Sequence, residues 1–264
     1  MSVIHGGASA SSLPYSNSVR LVGADQPFKW LAAGWRDFLA APALSAAYGL
    51  VFAAVGLALA LALWRTPFLY MMLPLASGFM LLGPVATTGF QVISREIERG
   101  RRPSFAAAFD ALNANAGPIF YAALTFLLLF LAWLRISELL FALTFPPEAA
   151  SLDPQALLKA TFFTAGGLEF LALFVLLGFV AAALAFAGGA FALPMLVDRP
   201  VGAFEAIATS FSAVTLNLRT MALWAGLLVA LTVVGMALFF VGLAVTLPVA
   251  GHAAWHAYRG TIRL

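Results

Sequence analysis

Long uncharged apolar runs, broken by short charged or proline-bearing stretches, dominate this chain. A helix needs about 20 mostly apolar residues to cross a hydrocarbon core, and the pattern supplies that length repeatedly. Residues 43–64 carry no charge, and Arg65-Thr66-Pro67 ends the run. Residues 68–93 form a second run, closed by Arg95, Glu96, Glu98, Arg99, Arg101 and Arg102, the densest charge cluster in the chain. A third covers 117–136, and a mixed segment at 137–166 reads as an insertion on the outer side. Residues 168–197 make the fourth. From 219 to 258 the chain is almost continuously apolar. At about 1.5 Å per residue a single helix of that length would be nearly twice the thickness of a hydrocarbon core. The stretch therefore divides into spans at 219–239 and 241–258 about a tight turn near Phe239-Phe240-Val241-Gly242. The pattern predicts an all-α membrane protein with six transmembrane helices.

A weaker period underlies these spans. Short amphipathic segments precede the odd-numbered ones: Leu31, Trp35, Phe38 and Leu39; then Phe105, Phe109 and Leu112; then Phe204, Ile207, Phe211 and Val214. Spacings of three, four and seven put each set on one helical face. Phe109-Asp-Ala-Leu112 matches Phe204-Glu-Ala-Ile207 in residue type, and Pro103 and Pro200 each stand before their helix, where a missing N–H costs little. The even-numbered spans carry Pro84, Pro194 and Pro248 before their inner ends. The chain thus reads as three pseudo-repeats, each an interfacial helix plus a helical hairpin, in one domain over 28–264. In the middle copy, Ser151-Leu152-Asp153-Pro154 reads as a helix start, with Leu157, Leu158, Phe162 and Phe163 as an apolar face. The closing segment from Pro248 to Arg259 echoes Pro84 to Arg95 at the same step. Thr88 and Val92 occupy the echo positions of His252 and His256.

Composition agrees. Hydrophobic residues make up 63% of the 264 and charged residues 9%, against about 25% charged in a soluble domain. Too few polar side chains exist to cover a water-facing surface. A net charge of +3 is no nucleic-acid footprint. The absence of cysteine excludes disulfides, thiolate metal sites and a cysteine nucleophile. Residues 1–27 lack the basic and apolar regions of a signal peptide; with Gly6-Gly-Ala-Ser-Ala-Ser-Ser12 they read as a disordered cytoplasmic tail. Six spans with the N-terminus inside leave only Arg65, Arg135 and Lys159 outside and the other 11 of the 14 Lys+Arg inside, as the positive-inside rule requires. Both termini are then cytoplasmic. The six tryptophans fall near predicted boundaries, where amphipathic rings sit at headgroup depth.

Candidate chemistry is sparse. His252 and His256, four apart, share a helical face, a spacing used by metal ligands and compatible with haem ligation. The alternative is two interfacial histidines near a helix C-terminus, where a cation suits the dipole. The third histidine, His5, lies in the tail. Glu169 is the one carboxylate near the interior of an apolar run, a functional candidate by default or a headgroup-depth charge at a helix start. Arg135 and Glu138 fit a boundary ion pair. Thr87, Thr88, Gln91, Asn113, Asn115 and Asn217 suit interhelical hydrogen bonding. Gly178 with Ala182, and Ala181 with Ala185 and Gly189, permit close helix approach. Pro84, Pro194 and Pro248 each free a carbonyl and mark kinks or a binding site. No phosphate loop, nucleophile elbow or dinucleotide fingerprint occurs, so no catalytic residue, no enzyme activity and no cofactor is predicted.

Gly251-His-Ala-Ala-Trp-His-Ala-Tyr-Arg259 resembles the hallmark of an uncharacterised bacterial family of six-span integral membrane proteins, known only as a domain of unknown function. Ala192-Leu-Pro-Met-Leu-Val-Asp-Arg199 and Gly83-Pro…Gly89-Phe…Arg95-Glu…Arg99 are similar to the same family, so the likeness covers residues 22–262. It implies a bacterial cytoplasmic (inner) membrane location and adds Arg95, Asp198 and Arg259 to the candidate residues. Some members are described as cytochrome c oxidase subunit I-like. An oxidase core needs many more intramembrane histidines than the two here, so oxidase chemistry is not implied.

Three functions fit. The first is a non-enzymatic accessory, assembly or scaffold subunit, acting through helix–helix contacts with another membrane protein or with itself in the lipid bilayer. The second is a small-solute transporter or permeability factor, motivated by the pseudo-repeats, the prolines and Glu169. The third is haem or metal binding through His252 and His256.

Overall fold

Proline and small polar residues set the helix starts. A computed structural model describes residues 18–151 and 153–263; His5 and the glycine- and serine-rich segment lie outside the described residues. Helix α1 covers Gln26–Ala40 and α2 covers Pro42–Trp64, each with proline in its first turn, where the missing N–H is not needed. A single 3-10 turn at Leu69–Met71 leads into α3 (Met72–Leu81), α4 (Gly83–Ala86) and α5 (Thr88–Glu98). Next come α6 (Phe105–Asn113), α7 (Ala116–Thr144) and α8 (Pro154–Phe163). The Ser104 hydroxyl accepts from the Ala107 N–H, and the Asp153 carboxylate from the Ala156 N–H, so α6 and α8 start on side-chain caps. The chain ends with α9 (Ala165–Gly189), α10 (Ala192–Asp198), α11 (Ala203–Leu216), α12 (Leu218–Ala237) and α13 (Leu243–Thr261). Among the described residues the only β pairing is one antiparallel bridge between Val19 and Ile262.

Among the described residues four segments are long and apolar enough to cross a membrane: Pro42–Trp64, Ala116–Thr144, Ala165–Asp198 and Leu218–Ala237. They face outward with large apolar side chains, such as Val51 and Val55 on α2 and Val175 and Phe179 on α9. Lipid is the solvent that makes such a surface stable.

The other two predicted spans take a different form. Residues 68–93 break into three short helices, because Leu82-Gly83-Pro84 and Thr87 interrupt the hydrogen-bond ladder. Residues 243–258 fall within α13, after a turn through 242; the helix is continuous through Pro248 but buries 13 of its 19 residues. The expected turn is present: Phe239 and Phe240 adopt left-handed backbone angles, with φ of 53° and 63°.

Helix α13 is the hub on which α1, α2, α5 and α12 pack. Glycines make this crowding possible. A Cβ on Gly34 would lie 2.6 Å from the Ala253 nitrogen, and one on Gly49 would lie 2.9 Å from the Ala244 oxygen, so α1 and α2 meet α13 backbone to backbone. Trp30 of α1 meets Trp224 of α12 edge to face at 5.6 Å, sealing the same corner.

Several expectations shift. Helix α7 runs on to Thr144 instead of ending at 136, so the insertion begins at Phe145, not at 137. Arg135 and Glu138 do not end the helix, because they pair along its exposed face at 2.7 Å. The expected tail is shorter on its described side, where Val19 is buried and Arg20 N–H donates to the Thr261 carbonyl. On α1, Phe38 packs inward with Trp30, while Trp35 and Leu39 stay exposed with Phe28. The small residues of α9 are spent inside the chain: Gly178 backs onto Trp133, and Gly189 onto Pro84 and Phe126.

Candidate functional site

One turn beyond Pro248, α13 turns His252 into the centre of the helix hub. Its ring is fully buried and bonded on both nitrogens. Nε2 lies 2.9 Å from the Ser45 hydroxyl in the first turn of α2, and Nδ1 lies 2.8 Å from the Ser94 hydroxyl on α5. Phe90 packs edge-on to the ring at 5.6 Å and against Gly251. One face of α5 therefore supplies both a wall and a hydrogen-bond partner.

The network continues outward. Ser94 also hydrogen-bonds the Asp37 carboxylate, and Asp37 Oδ2 lies 2.8 Å from His256 Nε2. An ionised Asp37 can only accept, so the Ser94 hydroxyl donates to it and accepts from His252 Nδ1–H, while Ser45 donates to Nε2. The chain Ser45–His252–Ser94–Asp37–His256 thus ties α1, α2, α5 and α13 with every member satisfied. Burial pushes the Asp37 pKa up, but the hydrogen bonds from His256 and Ser94 outweigh it and hold the carboxyl below its usual value.

A second, ionic layer closes the same end of the bundle, where α5, α10 and α13 finish together. Asp198 takes a hydrogen bond from the Tyr258 hydroxyl at 2.9 Å and faces Arg99 at 3.3 Å and Arg259 at 3.7 Å. Arg259 also reaches Glu98 at 2.8 Å, and the Trp255 indole N–H donates to Glu98 at 2.7 Å. Arg95 donates to the Val197 carbonyl, capping the end of α10. Glu96 is gripped by Arg101 through two bonds; these donors outweigh burial and lower its pKa. Cations beside the last carbonyls of three helices also answer the helix dipoles.

Of the sequence candidates, the structure gathers His252, His256, Arg95, Asp198, Arg259 and Pro248 at one end. It separates Glu169, which is exposed near the start of α9, with Thr164 capping that helix through the Gly167 N–H. Pro84 and Pro194 sit in the first turns of α4 and α10, after breaks in the helix. His252 and His256 share a face by spacing but bind separate partners, and both nitrogens of His252 are already engaged. Among the described residues no three His, Asp or Glu side chains form a group that could hold a metal.

Asn115 bonds the carbonyl of Leu196 in α10 and those of Arg199 and Val201 in the loop after it, whereas Asn217 bonds the Val22 N–H and the Arg20 carbonyl of the segment before α1 rather than another helix. Thr87 and Thr88 instead bond the Gly83 and Pro84 carbonyls of their own turn, a local alternative open to threonine hydroxyls in helices. Sequence reasoning missed Ser45, Ser94, Asp37 and Glu98. For Asp37 a signal existed, because it falls on one helical face with Trp30, Ala33 and Gly34, all small or apolar.

Chemically, this arrangement fixes helix register. Ser45, Ser94 and His252 are each no more than 1% exposed, so no hydroxyl is presented to a substrate. A fully satisfied buried polar network rigidifies and specifies one packing.

No curated protein and no solved structure matches the chain. Residues 71–198, which run from α3 through α10, match the family model described as predicted integral membrane protein, DUF2189. That stretch contains Ser94 of the buried chain and Arg95, Glu96, Glu98, Arg99, Arg101 and Asp198 of the ionic layer. Over those residues the chain is similar to an uncharacterised family of predicted integral membrane proteins.

Proposed function

We propose that this is a six-span protein of a bacterial inner membrane, with both termini cytoplasmic, acting as a non-enzymatic accessory, assembly or scaffold subunit through helix–helix contacts. Three units support the count, each an interfacial helix, a span and a broken or proline-bearing return: α1 to α5, α6 to α10 and α11 to α13. The returns α5, α10 and α13 meet in the ionic layer. The observation that carries the function is how the polar groups are used. Ser45, His252, Ser94, Asp37 and His256 pair with one another at one end, while α2 and α9 present faces of Val51, Val55, Val175 and Phe179 whose natural neighbours are lipid or another apolar helix. A transport role would rest on Glu169, which stands apart from every other polar candidate.

A chain without cysteine makes the test direct. Single cysteines at Thr66 and Ser104 should label from opposite sides of the membrane. Labelling from one side would show that 68–93 does not cross. Phe179→Cys should give one reproducible disulfide-linked species in native membranes, with a partner or a second copy. A chain that stays uncrosslinked from both the α9 face and Val55→Cys on the α2 face removes the scaffold reading.

A further inference from the structure

Helix α1 divides into three sectors. At about 100° per residue, Phe28, Ala32, Trp35 and Leu39 form one stripe, and Lys29 and Arg36 form a second beside it. Trp30, Ala33, Gly34, Asp37 and Phe38 fill the opposite side. Only the last set is buried; Phe28, Trp35 and Leu39 are 56%, 45% and 56% exposed. An apolar stripe flanked by a cationic one is the surface of a helix lying at a lipid headgroup boundary.

A second cationic cluster adjoins its start. Backbone bonds bring three distant segments together: Arg20 N–H to the Thr261 carbonyl, Arg263 N–H to the Ser18 carbonyl, and Asn217 to the Arg20 carbonyl. Arg20, Arg219 and Arg263 therefore share one corner, from which the chain enters α1. Their side chains are exposed. Neither they nor Arg36 pairs with a carboxylate among the described residues, whereas Arg95, Arg99, Arg101 and Arg259 all do. The ionic layer consumes its own charge, and these four cations lie outside it.

We propose that α1 and this corner form a binding surface for an anionic phospholipid, with the acyl chains along Phe28, Trp35 and Leu39 and the headgroup phosphate held by Arg36 and the arginine corner, beside Lys29, which pairs with Asp25 at 2.6 Å. Charge complementarity requires an anion, and the adjoining apolar stripe requires an amphiphile. A soluble acidic protein or a nucleic acid would use the cations and leave the stripe bare. The inference rests on the chain being integral to a membrane.

The test uses the full chain in mild detergent, titrated with phosphatidylglycerol or phosphatidylcholine, with retained lipid counted by native mass spectrometry. Phosphatidylglycerol should bind more tightly. Each cation contributes about fivefold in affinity, so R20Q/R219Q/R263Q should weaken it about a hundredfold and R36Q alone about fivefold. The corresponding triple lysine variant should bind as the parent does, because a point charge suffices for the headgroup. R135Q, at the far end, should change nothing. Equal retention of both lipids overturns the proposal, as does an R36Q chain that elutes and binds like the parent. So does competition by glycerol 3-phosphate as strong as that by the lipid, since the apolar stripe would then contribute nothing. Release of the chain from membranes by alkali would instead overturn the integral-membrane reading, a separate outcome from loss of lipid preference.

Discussion

Replacing His252 by alanine should uncouple α2 and α5 from α13. The side chain makes two interhelical hydrogen bonds, at 2.9 Å to Ser45 and 2.8 Å to Ser94. Such bonds couple membrane helices by about 0.6 kcal/mol on average and about 1.7 at most, so the pair is worth about 1–3 kcal/mol. Truncation alone would overstate this, because it also opens a cavity beside Phe90. The decisive measurement is therefore a double-mutant cycle: H252A, S45A, S94A and the two pairwise combinations, followed by thermal loss of the monodisperse species in detergent. Interactions of that size lower the melting temperature by about 3–9 °C for a chain of this length. In H252A the two serines lose their partner, so removing them afterwards should cost much less than removing them from the parent. Coupling indistinguishable from zero at both serines, within about 0.3 kcal/mol, would refute the network as a stabilising element.

Other consequences follow from the same packing. Gly34→Ala should destabilise by about 1–3 kcal/mol, because the new Cβ meets the α13 backbone. Gly226→Ala, with nothing within 4 Å, should be neutral or stabilising by up to about 1 kcal/mol; denaturation of both variants in one detergent compares them, and equal effects would contradict the backbone contact. Acid should loosen the closed end. The carboxyls of Asp37 and Glu96 are both held below their ordinary values of 3.8 and 4.5, so the stability they contribute is present above that range and is lost as pH falls through their folded-state values. Glu96→Gln should flatten the acid limb of a melting-temperature profile, and an unchanged limb would show that the Arg101 pair contributes nothing.

The helical class, the apolar runs, the turn near Phe239 and the charge cluster after residue 93 were all legible along the chain. Each follows from local pattern: twenty apolar residues in a row are costly to leave in water wherever they sit, and a charged cluster must end a run. His252 stood out for a similar reason, as a polar group near the end of an apolar stretch, whereas Asp198 and Arg259 entered through the family resemblance. Ser45 and Ser94 did not, because a serine in a small-residue helix gives no sign of its partner.

Sequence alone therefore determined that this chain lives in a membrane as helices, and roughly where they begin and end. The tertiary structure decided what the polar residues do. A helix at 1.5 Å per residue places His252 and His256 on one face, but only the approach of α1, α2 and α5, permitted by glycines 34 and 49, gives those rings separate partners. The same holds for Gly178 and Gly189, whose spacing fits contact with another protein as well as with Trp133, Pro84 and Phe126 of the same chain. Pairing energy depends on separation in space, and residues 45, 94 and 252 become neighbours only when four helices close around one.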